Sequence, residues 1–204
     1  MHVQPSLFEP AITCLTTGQP YFGQVSGVGY HCDFITPLEE KAFLQAIDAG
    51  DWLHDLKRRV QHFGYKYDYK IRRIEARLKI GALPDWLQGL AIKLQEGGYF
   101  DNIPDQVIIN EYEPGQGITP HIDCEPCFAD TVVSLSLNST AVMEFSKGDD
   151  RLSFLLEPRS IIVLSGEARY DWKHAIPARK KDLYQGIVYP RKRRLSLTFR
   201  KVIV

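Results

Sequence analysis

The segment Arg194-Leu195-Ser196-Leu197-Thr198-Phe199-Arg200 alternates strictly between polar and apolar residues. Strand side chains point to opposite faces in turn, so it reads as a β-strand with Leu195, Leu197 and Phe199 on one face. Arg194, Ser196, Thr198 and Arg200 share the other. The apolar face needs a core, and a one-residue slip would exchange the two faces. The polar face must then meet solvent or line a polar cavity. An arginine is seldom buried without a partner, so a cavity here would call for an anion.

The remaining pattern places helices first and strands later. Thr36-Pro37-Leu38-Glu39 has the form of a capping box with proline at the first helical position, opening a helix that runs to about Ala49. A second helix begins at Pro84-Asp85-Trp86-Leu87, with Leu87, Leu90, Ala91 and Leu94 at helical spacing and Gly97-Gly98 to end it. After Pro104 come short β runs at 107–109, 132–137, 141–145, 160–164 and 195–204, separated by turn residues such as Lys147-Gly148-Asp149-Asp150. Flanking helices followed by many short strands predict an α+β chain with a jelly-roll core and a concave mouth for a ligand. With 204 residues, 44% of them apolar, the chain is expected to form one domain over 1–204. Helices and a basic aromatic region would occupy 1–104, and the strands 105–204.

No apolar run is long enough to span a bilayer, and the N-terminal stretch lacks the basic start and apolar centre of a secretory signal. Four cysteines are too few to staple a chain of this length, which points to a reducing, cytoplasmic setting and no membrane partner. Cys124-Glu125-Pro126-Cys127 could bind zinc or act in redox chemistry. Zinc would need further ligands such as Cys14, Cys32 or His31, which nothing in the spacing brings together. The surroundings read as a loop after a strand, so ordinary loop cysteines are expected.

His121-Ile122-Asp123 is the strongest chemical motif. On a strand, both side chains would share a face, and His174 arriving from a distant strand would complete a triad of two histidines and a carboxylate. Such a triad suits Fe(II) with open positions for a cosubstrate and dioxygen. Arg194 offers a planar fork able to hold the carboxylate of a chelating keto-acid. The plainer alternatives are a packed histidine at 174 and a surface arginine at 194.

Read in order, Asn110-Glu111-Tyr112-Glu113-Pro114-Gly115-Gln116-Gly117, the His121/Asp123 pair, the stretch 166–174 ending in His174, and the Arg-x-Ser-x-Thr-x-Arg strand resemble the AlkB family of Fe(II)- and 2-oxoglutarate-dependent dioxygenases. The likeness runs from about Asp105 to Val202, and the phrases 112–118 and 159–161 echo the branch that hydroxylates modified wobble uridines in tRNA. The resemblance implies a double-stranded β-helix fold and Fe(II), 2-oxoglutarate and O2 as cofactor and cosubstrates. His121, Asp123 and His174 would be the metal ligands. Arg194, Tyr112, Asn110, Ser196, Thr198 and Arg200 would line the 2-oxoglutarate pocket. Ser196 departs from the asparagine common in the family, though serine still donates a hydrogen bond.

From Lys57 to Lys79 basic residues interleave with Phe63, Tyr65, Tyr67 and Tyr69, although formal net charge is zero. Cations attract phosphates and aromatic faces stack on unpaired bases, so nucleic acid is the expected partner of a monomer. A second basic patch spans 179–181 and 191–193. Tyr65, Tyr67 and Trp172 are candidate pocket walls, and Glu125 could read a base edge. Three functions follow. The first is removal of N-alkyl groups from DNA or RNA bases, a repair activity. The second is hydroxylation of a wobble nucleoside in tRNA, and the third is a catalytically silent nucleic-acid-binding module.

Overall fold

The computed structural model of the protein describes residues 25–54, 56–68 and 73–203. In chain order the elements are β1 (Val28–His31), α1 (Pro37–Asp48), β2 (Val60–Phe63), α2 (Asp85–Glu96), β3 (Gln106–Tyr112), β4 (Ile118–His121) and β5 (Phe128–Leu137). There follow β6 (Ala141–Lys147), β7 (Asp150–Leu156), β8 (Ile161–Leu164), α3 (Gly166–Tyr170), β9 (Lys173–Ile176), β10 (Lys181–Tyr184), β11 (Ile187–Pro190) and β12 (Arg194–Val202). Six strands form one antiparallel sheet in the order β1-β8-β5-β12-β3-β2, and four form a second, β4-β9-β6-β7. The hairpin β10-β11 stands apart. The two larger sheets enclose one cavity between them, the jelly-roll arrangement of an α+β chain.

The terminal strand occupies a central place, as its alternation requires. β12 pairs with β3 on one side and β5 on the other, with Ser196 opposite Asn110 and Ser136. Its apolar set Leu195, Leu197 and Phe199 packs with Val107, Ile109, Val133 and Leu135 against Ile47 of α1 and Leu87, Leu90, Ala91 and Leu94 of α2. The residues between them face the second sheet. Both faces of the large sheet are therefore covered, which is why β3 is buried along its whole length.

Local chemistry explains the helix ends. Thr36 and Glu39 form a reciprocal capping box, Thr36 N–H donating to Glu39 Oε2 at 2.6 Å and Glu39 N–H to Thr36 Oγ1 at 3.2 Å. The turn after β3 depends on glycine. A Cβ on Gly117 would lie 2.1 Å from the Ile176 carbonyl oxygen, so the loop could not approach β9 with any other residue there.

The division at residue 104 does not describe the sheets. β1 and β2 come before it and form the two outer strands of the larger sheet. At four residues each, both are too short to show a period. β4, β7, β9, β10 and β11 also lie outside the β runs expected from sequence. Residues 1–24 and 69–72, including Cys14 and the Tyr69, Lys70 and Arg72 part of the basic run, lie outside the described residues. Among the described residues no helix is long and apolar enough to cross a membrane.

Leu197 is fully buried between α2 and the sheet. Leu197→Ala should lower the unfolding free energy by roughly 2–5 kcal/mol, read from urea denaturation, and a loss below about 1 kcal/mol would contradict this packing.

Candidate active site

The cavity between the sheets is lined from both sides. The large sheet contributes Asn110, Tyr112, Ser134, Arg194, Ser196, Thr198 and Arg200, and the small sheet and its loops contribute His121, Asp123, Met143 and His174. Every residue expected at the metal and the keto-acid therefore reaches one space.

Strand pairing sets the two histidines. His121 on β4 is directly opposite His174 on β9, and their ring centroids are 4.4 Å apart. His121 Nδ1 lies 2.8 Å from the Thr119 carbonyl oxygen. A carbonyl only accepts, so Nδ1 carries a proton there and Nε2 is the nitrogen placed to take a metal. Burial, the His121 charge and neighbouring cations outweigh the pull of Asp123 and push His174 down to about 3, leaving it neutral at ordinary pH. Neutral imidazole is the form that binds a metal.

Asp123 is not placed by strand pleat, contrary to the reading of His-x-Asp as one strand face. β4 ends at His121, and Asp123 lies beyond it. Its carboxylate is held by Arg200, whose Nη2 donates to Oδ1 at 2.9 Å. The other oxygen, Oδ2, lies 3.9 Å from His174 Nε2. Burial alone would raise the Asp123 pKa, but the Arg200 charge, then His174 and His121, hold it well below the usual carboxylate range.

Arg194 lies deeper, 3% exposed. Its Nη2 donates to Ser136 Oγ at 2.8 Å, while Nε and Nη1 have no hydrogen-bond partner among the described residues. Burial lowers its pKa to about 10, so it remains a cation. Ser134 Oγ lies 2.8 Å from Ser196 Oγ and 3.2 Å from Thr198 Oγ1, a cluster of hydroxyls beside it. A buried guanidinium with two idle donors facing hydroxyls suits the distal carboxylate of a keto-acid.

An outer cleft opens onto the same residues. Arg58, Tyr67, Ile108, Pro120 and Phe128 wall it, and Asn110, His121, Asp123 and Arg200 are shared with the inner cavity. The Tyr67 and Phe128 rings stand 6.1 Å apart at 33°. Arg58 donates to Asn110 Oδ1 at 2.7 Å.

Residues 48–200 match the family model described as the 2OG-Fe(II) oxygenase superfamily. The chain is 38% identical to an Arabidopsis thaliana protein named "Alkylated DNA repair protein ALKBH8 homolog", over 83% of this chain and 56% of that protein. It is 39% identical to "tRNA (carboxymethyluridine(34)-5-O)-methyltransferase ALKBH8" of Macaca fascicularis, over 83% of this chain but 29% of that protein. The chain belongs to the AlkB family of 2-oxoglutarate oxygenases. The solved structure of OsALKBH1 superposes with a TM-score of 0.66 at 17% identity, covering 86% of this chain and 96% of that one, and shares the fold.

Membership in this family makes the chain an oxidoreductase that uses Fe(II), 2-oxoglutarate and O2. The residues present fit that set by donor chemistry: two imidazoles, one with a proton on Nδ1 and the other neutral, a carboxylate kept anionic, and a buried cation with idle donors. Among the described residues no group of three His, Cys, Asp or Glu already stands as a finished ion cage. The fit therefore rests on the donors and on their shared cavity.

Three of the expected substrate residues lie elsewhere. Trp172 is buried with Met143, Phe145, Ala168 and Ile176 in a core cluster to which both sheets contribute, and it lines neither the cavity nor the outer cleft. Tyr65 is 8% exposed and lines a separate hollow with Lys79 and Leu83. Glu125 is exposed on a shallow surface depression beside Asp123. Only Tyr67 stands in the outer cleft. The arginines of the second basic patch are tied within the protein, Arg191 and Arg179 to buried Asp182 and Arg193 to Glu111 and Asp48, while Lys180, Lys181 and Lys192 are exposed. Cys124 and Cys127 are joined in a disulfide, and Cys32 is disulfide-bonded as well, so neither the zinc reading nor that of ordinary loop thiols holds. Arg58 was read only as one cation of the basic run and Arg169 only as part of the stretch ending in His174, because neither has a periodic context that marks it as a site residue.

The His174 shift has a pH consequence for metal-free protein. Between the ordinary imidazole pKa of 6.5 and the folded value of about 3, the unfolded chain binds a proton that the folded chain refuses. Stability is therefore full above that window and declines as pH falls through it. Urea midpoints measured from pH 7 to pH 4 should fall in the wild type and fall less in His174→Gln; parallel curves would count against a buried neutral His174.

Proposed function

We propose that this AlkB-family chain oxidises an alkyl carbon carried by a nucleobase, with removal of N-alkyl groups from DNA or RNA as the outcome. The observation that carries this is the outer cleft, where the half-buried Tyr67 ring, backed by buried Phe128, and the Arg58 guanidinium border the same space as His121 and Asp123. Aromatic and guanidinium planes stack on bases of any sequence. A base within a duplex could not enter, so the substrate is single-stranded or flipped.

His121, Asp123 and His174 would hold Fe(II), and Arg194 would hold the distal carboxylate of 2-oxoglutarate with Tyr112, Asn110, Ser196 and Thr198 around it. Together with O2, the bound groups supply conversion of a substrate C–H bond to C–OH, with succinate and carbon dioxide released. The chain's own work is positional. Arg200 keeps Asp123 ionised and fixes its Oδ1, the Thr119 carbonyl fixes the His121 ring, and Ser136 orients Arg194. When the oxidised carbon is an N-methyl, the N–CH2OH product breaks its C–N bond, releasing formaldehyde and returning the proton to nitrogen.

A second reading is hydroxylation of a wobble uridine side chain in tRNA. The macaque relative's name, that of a methyltransferase acting on uridine 34 of tRNA, supports the choice of nucleic acid, at 39% identity against 38% for the plant relative named for alkylated DNA repair. In that case the carbon is not bonded to a base nitrogen, and hydroxylation is the end point.

Succinate and formaldehyde should be followed with methylated single-stranded DNA, methylated RNA and tRNA carrying modified wobble uridine. Succinate and formaldehyde rising together with a methylated oligonucleotide would support demethylation, and succinate without formaldehyde on tRNA would support the second reading. Turnover that no nucleic acid stimulates would overturn both. His121→Ala should abolish turnover. Arg194→Met should raise the 2-oxoglutarate KM by roughly 10- to 100-fold, the loss expected for charge-assisted hydrogen bonds.

A further inference from the structure

The bulkiest side chain in the fully buried core is a cation. Arg169, on α3, is 2% exposed and makes no ion pair with a carboxylate among the described residues. Its Nη1 donates to the Asp123 carbonyl oxygen at 3.0 Å and its Nη2 to the Cys124 carbonyl oxygen at 3.3 Å. The guanidinium stands 4.9 Å from the Tyr170 ring centroid, and Nε has no partner among the described residues.

Those two carbonyls belong to the consecutive peptides on either side of Cys124, directly after the Asp123 side chain. β4 ends at His121, so no strand ladder holds this backbone. The Asp123 carboxylate is fixed from the large sheet by Arg200, and its main chain is fixed from α3 by Arg169. α3 leads directly into β9, which carries His174. One side chain thus ties the segment bearing one expected ligand to the segment bearing another. A neutral donor could have met two carbonyls. Removing a guanidinium from water is costly, and its charge acts on the Asp123 carboxylate close by.

We propose that Arg169 is a positioning residue for the metal site: it sets the main chain of Asp123 relative to His174 and thereby the affinity for the ion. This rests on the reading of His121, Asp123 and His174 as the ligands.

The test titrates the full-length protein with Co(II) alone, following its visible absorption, beside thermal unfolding and the 2-oxoglutarate KM at saturating Fe(II). Arg169→Met keeps bulk but loses the fork and the charge. Its Co(II) dissociation constant should rise by roughly 10- to 100-fold, as for other groups that orient metal ligands, with the 2-oxoglutarate KM unchanged. Arg169→Lys keeps the charge but not the planar fork, and should fall between Met and wild type. Leu87→Ala, in the helix-packed core on α2 and off the strands that carry the site, supplies lowered stability and should bind Co(II) as wild type does.

Arg169→Met binding Co(II) as tightly as wild type would overturn the proposal. So would an affinity loss matched by Leu87→Ala. If Arg169→Met does not fold, Arg169→Lys decides, and wild-type affinity there overturns it. Failure of both to fold would make Arg169 a core residue and nothing more, which also overturns it. Equal Co(II) binding by wild type and His121→Ala would instead sink the ligand assignment itself, and the role of Arg169 with it.

Discussion

Burial of charge between the two sheets is the constraint around which the rest of the molecule is arranged. Asp123, Arg169, Arg194 and Arg200 are all at most 8% exposed. Ions taken from water are tolerated only when paired or hydrogen-bonded. Asp123 and Arg200 satisfy each other, and Arg200 also donates to Gln106. Arg169 is satisfied by main-chain oxygens. Among the described residues Arg169 and Arg200 each leave only Nε without a partner, whereas Arg194 leaves both Nε and Nη1, and that less complete solvation lies where an anionic cosubstrate fits. An interior of this kind contributes little stability.

The stability resides on the other side of the same sheet. Along β12, alternate residues either join the helix-packed core or face the cavity, so the strand divides structural from chemical duty residue by residue. Leu195, Leu197 and Phe199 anchor the strand against α1 and α2, and the anchor fixes where Arg194 and Arg200 point. Neighbouring strands obey the same division. On β5, Val133 and Leu135 go to the helices while Ser134 goes to the cavity. A rigid apolar layer behind a polar wall is what allows the wall to hold its groups at fixed separations.

What was legible in the sequence follows from this arrangement. Strict alternation on β12, the capping box at Thr36 and the glycine stop after α2 each encode their structure within a few residues. The histidines, Asp123 and the pocket residues were found as an ordered set of short motifs. Features fixed by distant partners were not legible. β1 and β2 are strands because β8 and β3 provide ladders for them, not because their own four residues favour extension. Trp172 follows α3 inward to a core that its neighbours do not advertise. The Cys124–Cys127 disulfide depends on a 3-10 turn that closes the two Cα atoms to 5.3 Å.

The basic run shows why counting charges overstates what a surface can offer a phosphate. Among its described residues, Arg59 is tied to buried Glu111, which Arg193 also reaches, and Arg77 is tied to Glu75. Arg58 points to the cleft floor through Asn110 and stands 5.7 Å from the Tyr112 ring centroid. The cations nearest the chemistry therefore act within the protein, organising β2 against β3 and closing one wall of the cleft. Under the proposed function, recognition there depends more on the Tyr67 ring and the shape of the cleft than on summed positive charge. A base gripped by stacking can be presented to the metal-site residues whatever its neighbours in sequence, whereas a phosphate-led grip would place the backbone first and leave the base to find the pocket.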